Sequence, residues 1–220
     1  MPQRAKGRMT QEERSAQSRN LLINGAIEAI HRAGYNGAST ALIAEIAGVS
    51  RGSFQHQFKT RAALMAEVVN AVFQQEMADY ELVRGSGAGG HVYDWPRILW
   101  AALSKPSGVA VLEILLAAQS DDELAAEVRP MQARVEEQAT NSTLMAFGGD
   151  VETAKAVMRL MVWTARGLSV AGRVMPGEIE PEPVIDLLGV LLKLAAPNGR
   201  LDNIKRLLIE QTTCSHLSNV

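Results

Sequence analysis

At 220 residues, with 47% hydrophobic and 21% charged residues and a formal net charge of −2, the chain has the size of one compact domain plus a smaller companion and the composition of a folded globular protein. Its longest apolar stretch, Val109 to Ala118, is interrupted by Glu113 and reaches about half the roughly 20 residues a bilayer span needs, so no membrane partner is expected. The N-terminus is basic but lacks the apolar segment of a secretory signal, and the single cysteine, Cys214, cannot close an internal disulfide. A cytoplasmic protein without a cofactor is the expectation.

The small total charge hides an asymmetry. Residues 1–61 carry nine Lys/Arg against four acids, a net of +5, which leaves −7 on the remainder. A basic N-terminal unit joined to an acidic body suits a protein that presents one end to a polyanion.

Three- and four-residue apolar spacing recurs throughout, while alternating β-branched runs are absent, so the fold class is all-α. Residues 1–16 read as a basic flexible arm bearing Arg4, Lys6 and Arg8. Ile23, Ala26, Ile27 and Ile30 then mark one face of a first helix, which should stop at Ala33–Gly34, where glycine accepts a left-handed cap. Ser39 is placed to cap a short second helix carrying Ile43, Ile46 and Ala47, and Gly48-Val49-Ser50 forms a tight turn into a third helix with Phe54 and Phe58 four residues apart. Together residues 17–61 make a three-helix unit. Thr60 can cap a connecting helix over 62–84 with Leu64, Val68, Val69, Val72 and Phe73 facing inward.

Residues 85–93 open with Gly-Ser-Gly-Ala-Gly-Gly. The glycine spacing resembles a dinucleotide fingerprint, but no strand precedes it, so it reads as a flexible loop. The remainder, 94–220, should be a second helical unit, with helices at about 94–104, 107–119, 121–147, 151–174 and 182–196, and a last amphipathic segment from Leu201 to Ile209. The run Ser120 to Glu123 is a capped, dipole-matched helix start. His31, His56, His91 and His216 are dispersed without ligand spacing, so no metal site is expected. Neither a nucleophile elbow nor a phosphate loop appears, and no catalytic residue is assigned.

The segment Ser39 to Phe58 places two short helices either side of a glycine-containing turn, the layout of a helix-turn-helix. With Phe54 and Phe58 inward, Gly52, Ser53, Gln55 and His56 turn outward, flanked by Arg51 and Gln57. Arginine reads guanine and glutamine reads adenine through paired hydrogen bonds in the major groove. Lys59 and Arg61, just past this helix, are placed to hold phosphates.

Gly34-Tyr35, Ser39-Thr40, Ile43-Ala44, Ala47-Gly48-Val49-Ser50, Phe54 to Phe58 and Arg61 to Leu64 agree in register with the pattern of the TetR family of bacterial transcriptional regulators, which the run from Arg19 to Phe73 resembles. The resemblance implies that Ser39 and Thr40 contact phosphate, that Arg51, Gly52, Ser53, Gln55 and Gln57 form the recognition surface, and that Lys59 and Arg61 clamp the backbone. Family members commonly carry Leu-Tyr-Tyr-His-Phe where this chain has Phe54-Gln55-His56-Gln57-Phe58, and lysine where it has Arg61. The resemblance also implies a homodimer built from the last two long helices, a pseudo-palindromic duplex operator as partner, and a repressor released by a small apolar effector; a member of the family without such a ligand is the alternative. Candidate interface positions are Ala154, Met158, Met161, Ala165 and Leu168 on one stripe, with Val184, Leu187, Leu188 and Leu191 on a second. The same stripes would also suit the chain's own core. Trp95, Trp100, Met131 and Trp163 are the candidate effector contacts.

Overall fold

The structure is a computed structural model and describes residues 10–175 and 180–207. The expected arm residues Arg4, Lys6 and Arg8, together with Cys214 and His216, lie outside the described residues.

Nine α-helices, a 3₁₀ turn and a short final helical segment, with no strand, occur among the described residues. The first, α1 (Gln11–Gly37), begins inside the segment read as an arm. Thr10 starts it there: its hydroxyl accepts from the Glu13 amide at 3.1 Å while the Glu13 carboxylate accepts from the Thr10 amide at 2.7 Å, a reciprocal pair that satisfies two otherwise orphaned donors. The helix is interrupted at Gly34, where φ is +68°, as expected, and resumes for one further turn.

Each of the next three helices begins on a hydroxyl and occupies the place its cap foretold. Ser39 caps α2 (Thr40–Ala47), Ser50 caps α3 (Arg51–Gln57) and Thr60 caps α4 (Arg61–Gly85). Between α2 and α3, Gly48 takes the left-handed conformation at φ +64° and turns the chain in three residues. Gly25 on α1 allows the second helix to lie close: a Cβ there would stand 2.9 Å from the Ile43 carbonyl oxygen and 3.0 Å from the Ala47 methyl.

A single arginine ties these pieces together. The Arg61 Nε donates to the Ala38 carbonyl at 2.9 Å, a terminal nitrogen donates to the Tyr35 carbonyl, and the guanidinium stacks over the Tyr35 ring at 4.0 Å. On the other side of the same turn, the Tyr35 amide donates to the Glu113 carboxylate at 2.8 Å.

The C-terminal body contains a 3₁₀ turn (Val92–Asp94) followed by α5 (Trp95–Leu103), α6 (Pro106–Ala117), α7 (Asp122–Phe147), α8 (Val151–Val174) and α9 (Glu182–Ala195). A short helical turn over 202–207 closes on the body through Leu201 and Ile204, both buried. Two apolar cores form, and they do not divide at residues 85–93. The first gathers α1 to α3 and the N-terminal half of α4 with α6 and the start of α7, through Ile114, Leu124 and Val128. The second joins the end of α4 to α5, α8 and α9. The glycine segment read as flexible is packed at one end: Gly89 is buried, and the Trp95 indole donates to its carbonyl at 2.8 Å.

Replacing Arg61 with methionine keeps the packed stem and removes both charge-assisted hydrogen bonds. We expect Arg61→Met to lower unfolding free energy by about 1.5–3 kcal/mol, measured by urea denaturation at neutral pH.

Candidate nucleic-acid interface and internal cavity

The apolar back of α3 sets its outward face. Phe54 and Phe58 are both buried, their ring centroids 6.3 Å apart, and the Arg19 guanidinium lies 4.7 Å over the Phe58 ring while pairing with Glu67 at 3.2 Å. Rotation by about 100° per residue then leaves Arg51, Gly52, Gln55 and His56 exposed, with Ser53 half-buried behind them. Thr40 and Lys59 are also exposed, as is Ser39, whose hydroxyl oxygen accepts from the Leu42 amide at 3.2 Å and keeps its proton available to donate.

Two expected contacts are committed elsewhere. The Gln57 amide nitrogen donates to the Ser15 hydroxyl at 2.9 Å, because the early start of α1 brings that serine beside the end of α3. Arg61 is turned inward onto the Tyr35–Ala38 turn, so its part is to hold the helices rather than to present a free cation. Among the described residues, no group of three or more His, Cys, Asp or Glu side chains could hold a metal.

In the body, a cavity of about 440 Å³ lies between α4, α5, α7 and α8. Phe73, Met77 and Tyr80 line it from α4, Trp95, Leu99 and Leu103 from α5, and Phe147 and Met161 close it from α7 and α8. Of the candidate effector contacts, Trp95 lines the cavity, and Trp163 stands half-exposed at its wall. Trp100 and Met131 are not in the lining: Trp100 packs on the second core, and Met131 turns toward the first while its neighbour Gln132 faces the cavity.

Polar residues that the sequence pattern did not single out stand among these apolar walls: Glu76, Tyr80 and Arg84 on α4, Gln132 on α7 and Arg166 on α8. Their signal was present, since Phe73, Glu76, Tyr80 and Arg84 recur at helical spacing along one face. Burial pushes the Glu76 carboxyl up to about 7, with the charges of Arg166 and Lys105 opposing the rise and Asp79 adding to it. Burial raises the Tyr80 phenol and depresses the Arg166 guanidinium in the same way.

The two stripes expected at a dimer interface are divided. On α8, Ala154, Met158, Met161 and Ala165 are buried within the chain itself, which corrects their assignment to a partner, while Leu168 is half-buried. Leu188 on α9 is likewise internal. Val184, Leu187 and Leu191 face outward with Leu194, and the outer face of α8 adds Leu160, Val170 and Val174. Large apolar side chains gathered in this way on a surface mark an interaction face. No helix among the described residues is long and apolar enough by itself to cross a membrane.

Glu76 makes stability depend on pH with a definite sign. Its carboxyl keeps the proton to about pH 7 when folded but releases it near 4.5 when unfolded, so its contribution is fullest below 4.5 and declines as pH rises to 7. We expect Glu76→Gln to remove that decline: urea unfolding at pH 5 and pH 7.5 should differ by about 1–3 kcal/mol less in the variant than in the parent chain.

Residues 22–68, which span the helix-turn-helix and the start of α4, match the family of bacterial regulatory proteins, tetR family. No curated protein matches the sequence. Among solved structures, a transcriptional regulator from Rhodococcus sp. Rha1 is 22% identical with a TM-score of 0.59, the match covering 82% of this chain and 97% of that one. A member of the TetR family from Streptomyces coelicolor A3 is 22% identical at 0.57, covering 79% and 97%. The multidrug binding protein EbrR, solved in complex with imidazole, is 22% identical at 0.55, covering 79% and 93%. The chain thus has the all-helical fold of these regulators, and its residues 22–68 match the model of the tetR family of bacterial regulatory proteins.

Proposed function

We propose that the chain is a homodimeric DNA-binding transcriptional repressor that leaves a pseudo-palindromic operator when a small molecule occupies the internal cavity. The observation that carries this reading is the course of α4. Its first residue, Arg61, holds the α1–α2 turn of the DNA-binding unit, and its second half lines the cavity through Phe73, Glu76, Met77, Tyr80 and Arg84. A ligand that shifts α4 therefore acts on the element that orients α3.

Dimerisation supplies the geometry. The outward apolar residues of α8 and α9 are the proposed interface, and two copies of α3 must meet successive major grooves about 34–36 Å apart. Arg51 and Gln55 read base edges, while Ser39, Thr40 and Lys59 hold phosphates, with His56 and Ser53 beside them on the same face. A ligand-bound state that alters the spacing by about 3 kcal/mol of coupling would weaken operator binding roughly a hundredfold. EbrR, which shares this fold, was solved in complex with imidazole, which supports a small-molecule ligand here, and a cavity of this size falls in the usual range of about 300–1,000 Å³ for ligand sites.

Selection of bound sequences from random duplex DNA at fixed salt tests the reading. We expect a palindromic sequence to be enriched, and Arg51→Ala and Gln55→Ala each to weaken binding to it by about tenfold to a hundredfold. Separately, Leu187→Glu with Leu191→Glu places charges on the proposed interface; we expect sedimentation to report a monomer that retains its helical content and loses the palindrome preference. Enrichment of no sequence by the parent chain would refute the reading.

A further inference from the structure

The described residues leave several buried polar atoms without a hydrogen-bond partner, among them the Tyr80 hydroxyl, the Arg84 Nε, the Gln132 Oε1, and the Arg166 Nε and Nη1. These four residues all line the cavity between α4, α5, α7 and α8. Folded proteins pair nearly every buried polar group, and the exceptions mark places where something else completes the pairing. Arg166 is the most demanding of them. It is 8% exposed, takes part in no ion pair among the described residues, and lies 5.4 Å from the Trp163 ring.

On the effector-site reading above, we propose that the cavity takes an amphipathic organic monoanion, a carboxylate on an apolar body, with its head against Arg166 and Tyr80. A guanidinium offers several N–H donors to the two oxygens of a carboxylate, and on Arg166 both Nε and Nη1 are unspent. The apolar body has Phe73, Trp95, Leu99, Leu103 and Phe147 as its walls.

The charges around the cavity select the sign. Glu136 and Arg159 line it as a mutual ion pair, and Arg84 is paired with Glu81. That leaves Glu76 and Arg166. The carboxyl can become neutral by taking a proton near neutral pH, whereas the guanidinium stays charged. The cavity can therefore shift from balanced to positive but not to negative, which favours an anion and opposes a cation. The groups that act on Glu76 are Asp79 and Tyr80 on its own helix, Arg166 on α8 and Lys105 at the α5–α6 turn. Bringing a second negative charge near Glu76 holds the proton on it, so ligand binding takes up a proton and weakens as pH rises through 7.

The test uses the full chain and two matched probe sets: biphenyl-4-carboxylate, its carboxamide and biphenyl-4-methylammonium, and decanoate, decanamide and decylammonium. Isothermal titration should show, on at least one scaffold, the carboxylate binding ten times or more tighter than the amide, with the ammonium weakest. Between pH 6 and pH 8 the carboxylate affinity should fall about tenfold, and Glu76→Gln should flatten that slope. Arg166→Met should abolish the head-group preference, retain amide binding, and raise the thermal midpoint of the free protein because an unpaired charge leaves the interior. Tyr80→Phe should lower carboxylate affinity several-fold and serves should the first variant not fold. An amide or ammonium that binds as tightly as the carboxylate, or a preference that survives Arg166→Met, overturns the anion assignment while leaving the cavity a ligand site. Failure of all six probes to bind overturns both.

Discussion

The inward turn of Arg61 is the contact on which the arrangement depends. One guanidinium satisfies the carbonyls of Tyr35 and Ala38 and lies flat on the Tyr35 ring, at the point where α1 ends, α2 is about to begin and α4 starts. The carboxylate of Glu113 on α6 meets the Tyr35 amide beside it. Four helices converge on a turn whose Tyr35 and Ala38 are buried in the first core, and charge-assisted hydrogen bonds add to that packing. Moving α4 relative to α1 would break these contacts or carry the DNA-binding unit along with them.

That knot explains why the molecule has two cores with an uneven border. The first core reaches beyond the helix-turn-helix to take in α6 and the start of α7, so the DNA-binding unit rests on the body through Ile114, Leu124 and Val128 rather than through a pliant linker. The second core holds the far end of α4 against α5 and α8. Between the cores the walls separate around a cavity whose apolar lining is interrupted by orphaned polar groups. A well-packed interior gains stability from filling such a space, and burying Arg166 and Glu76 beside it costs stability. Their presence is intelligible if occupancy of the space is what the protein senses.

Much of the fold was legible from local chemistry. Ser39, Ser50 and Thr60 act over a single turn, so the start of each of these helices could be read from the residue that caps it. Gly34 announced itself as a left-handed position, and Gly48 as part of a tight turn, for the same reason. The early start of α1 was also written locally, in the Thr10–Glu13 pair, but the surrounding basic residues drew attention to charge instead. Tertiary partners could not be read in this way. Gln57 looks like a recognition residue until Ser15 is found beside it, and Arg61 looks like a phosphate clamp until Tyr35 is found beneath it. On α8 the small and methionine side chains satisfy the pattern of an interface and of a core equally, and only the packing of α5 and α7 against that face decides between them. For the cavity, the spacing of Glu76, Tyr80 and Arg84 placed them on one helix face, but that α8 sets Arg166 among the same walls is a tertiary fact that spacing does not carry.

If the molecule works as proposed, two copies of α3 enter successive major grooves on one face of a duplex. Methylation interference on the DNA selected by the parent chain examines this without intermediaries, because N7-methylguanine blocks the groove edge that Arg51 would read. Two clusters of interfering guanines are expected, related by twofold symmetry and centred one helical turn, about 34–36 Å, or a small multiple of it apart. A single cluster, or interference confined to the minor-groove edge of adenines, would contradict the dimeric major-groove reading.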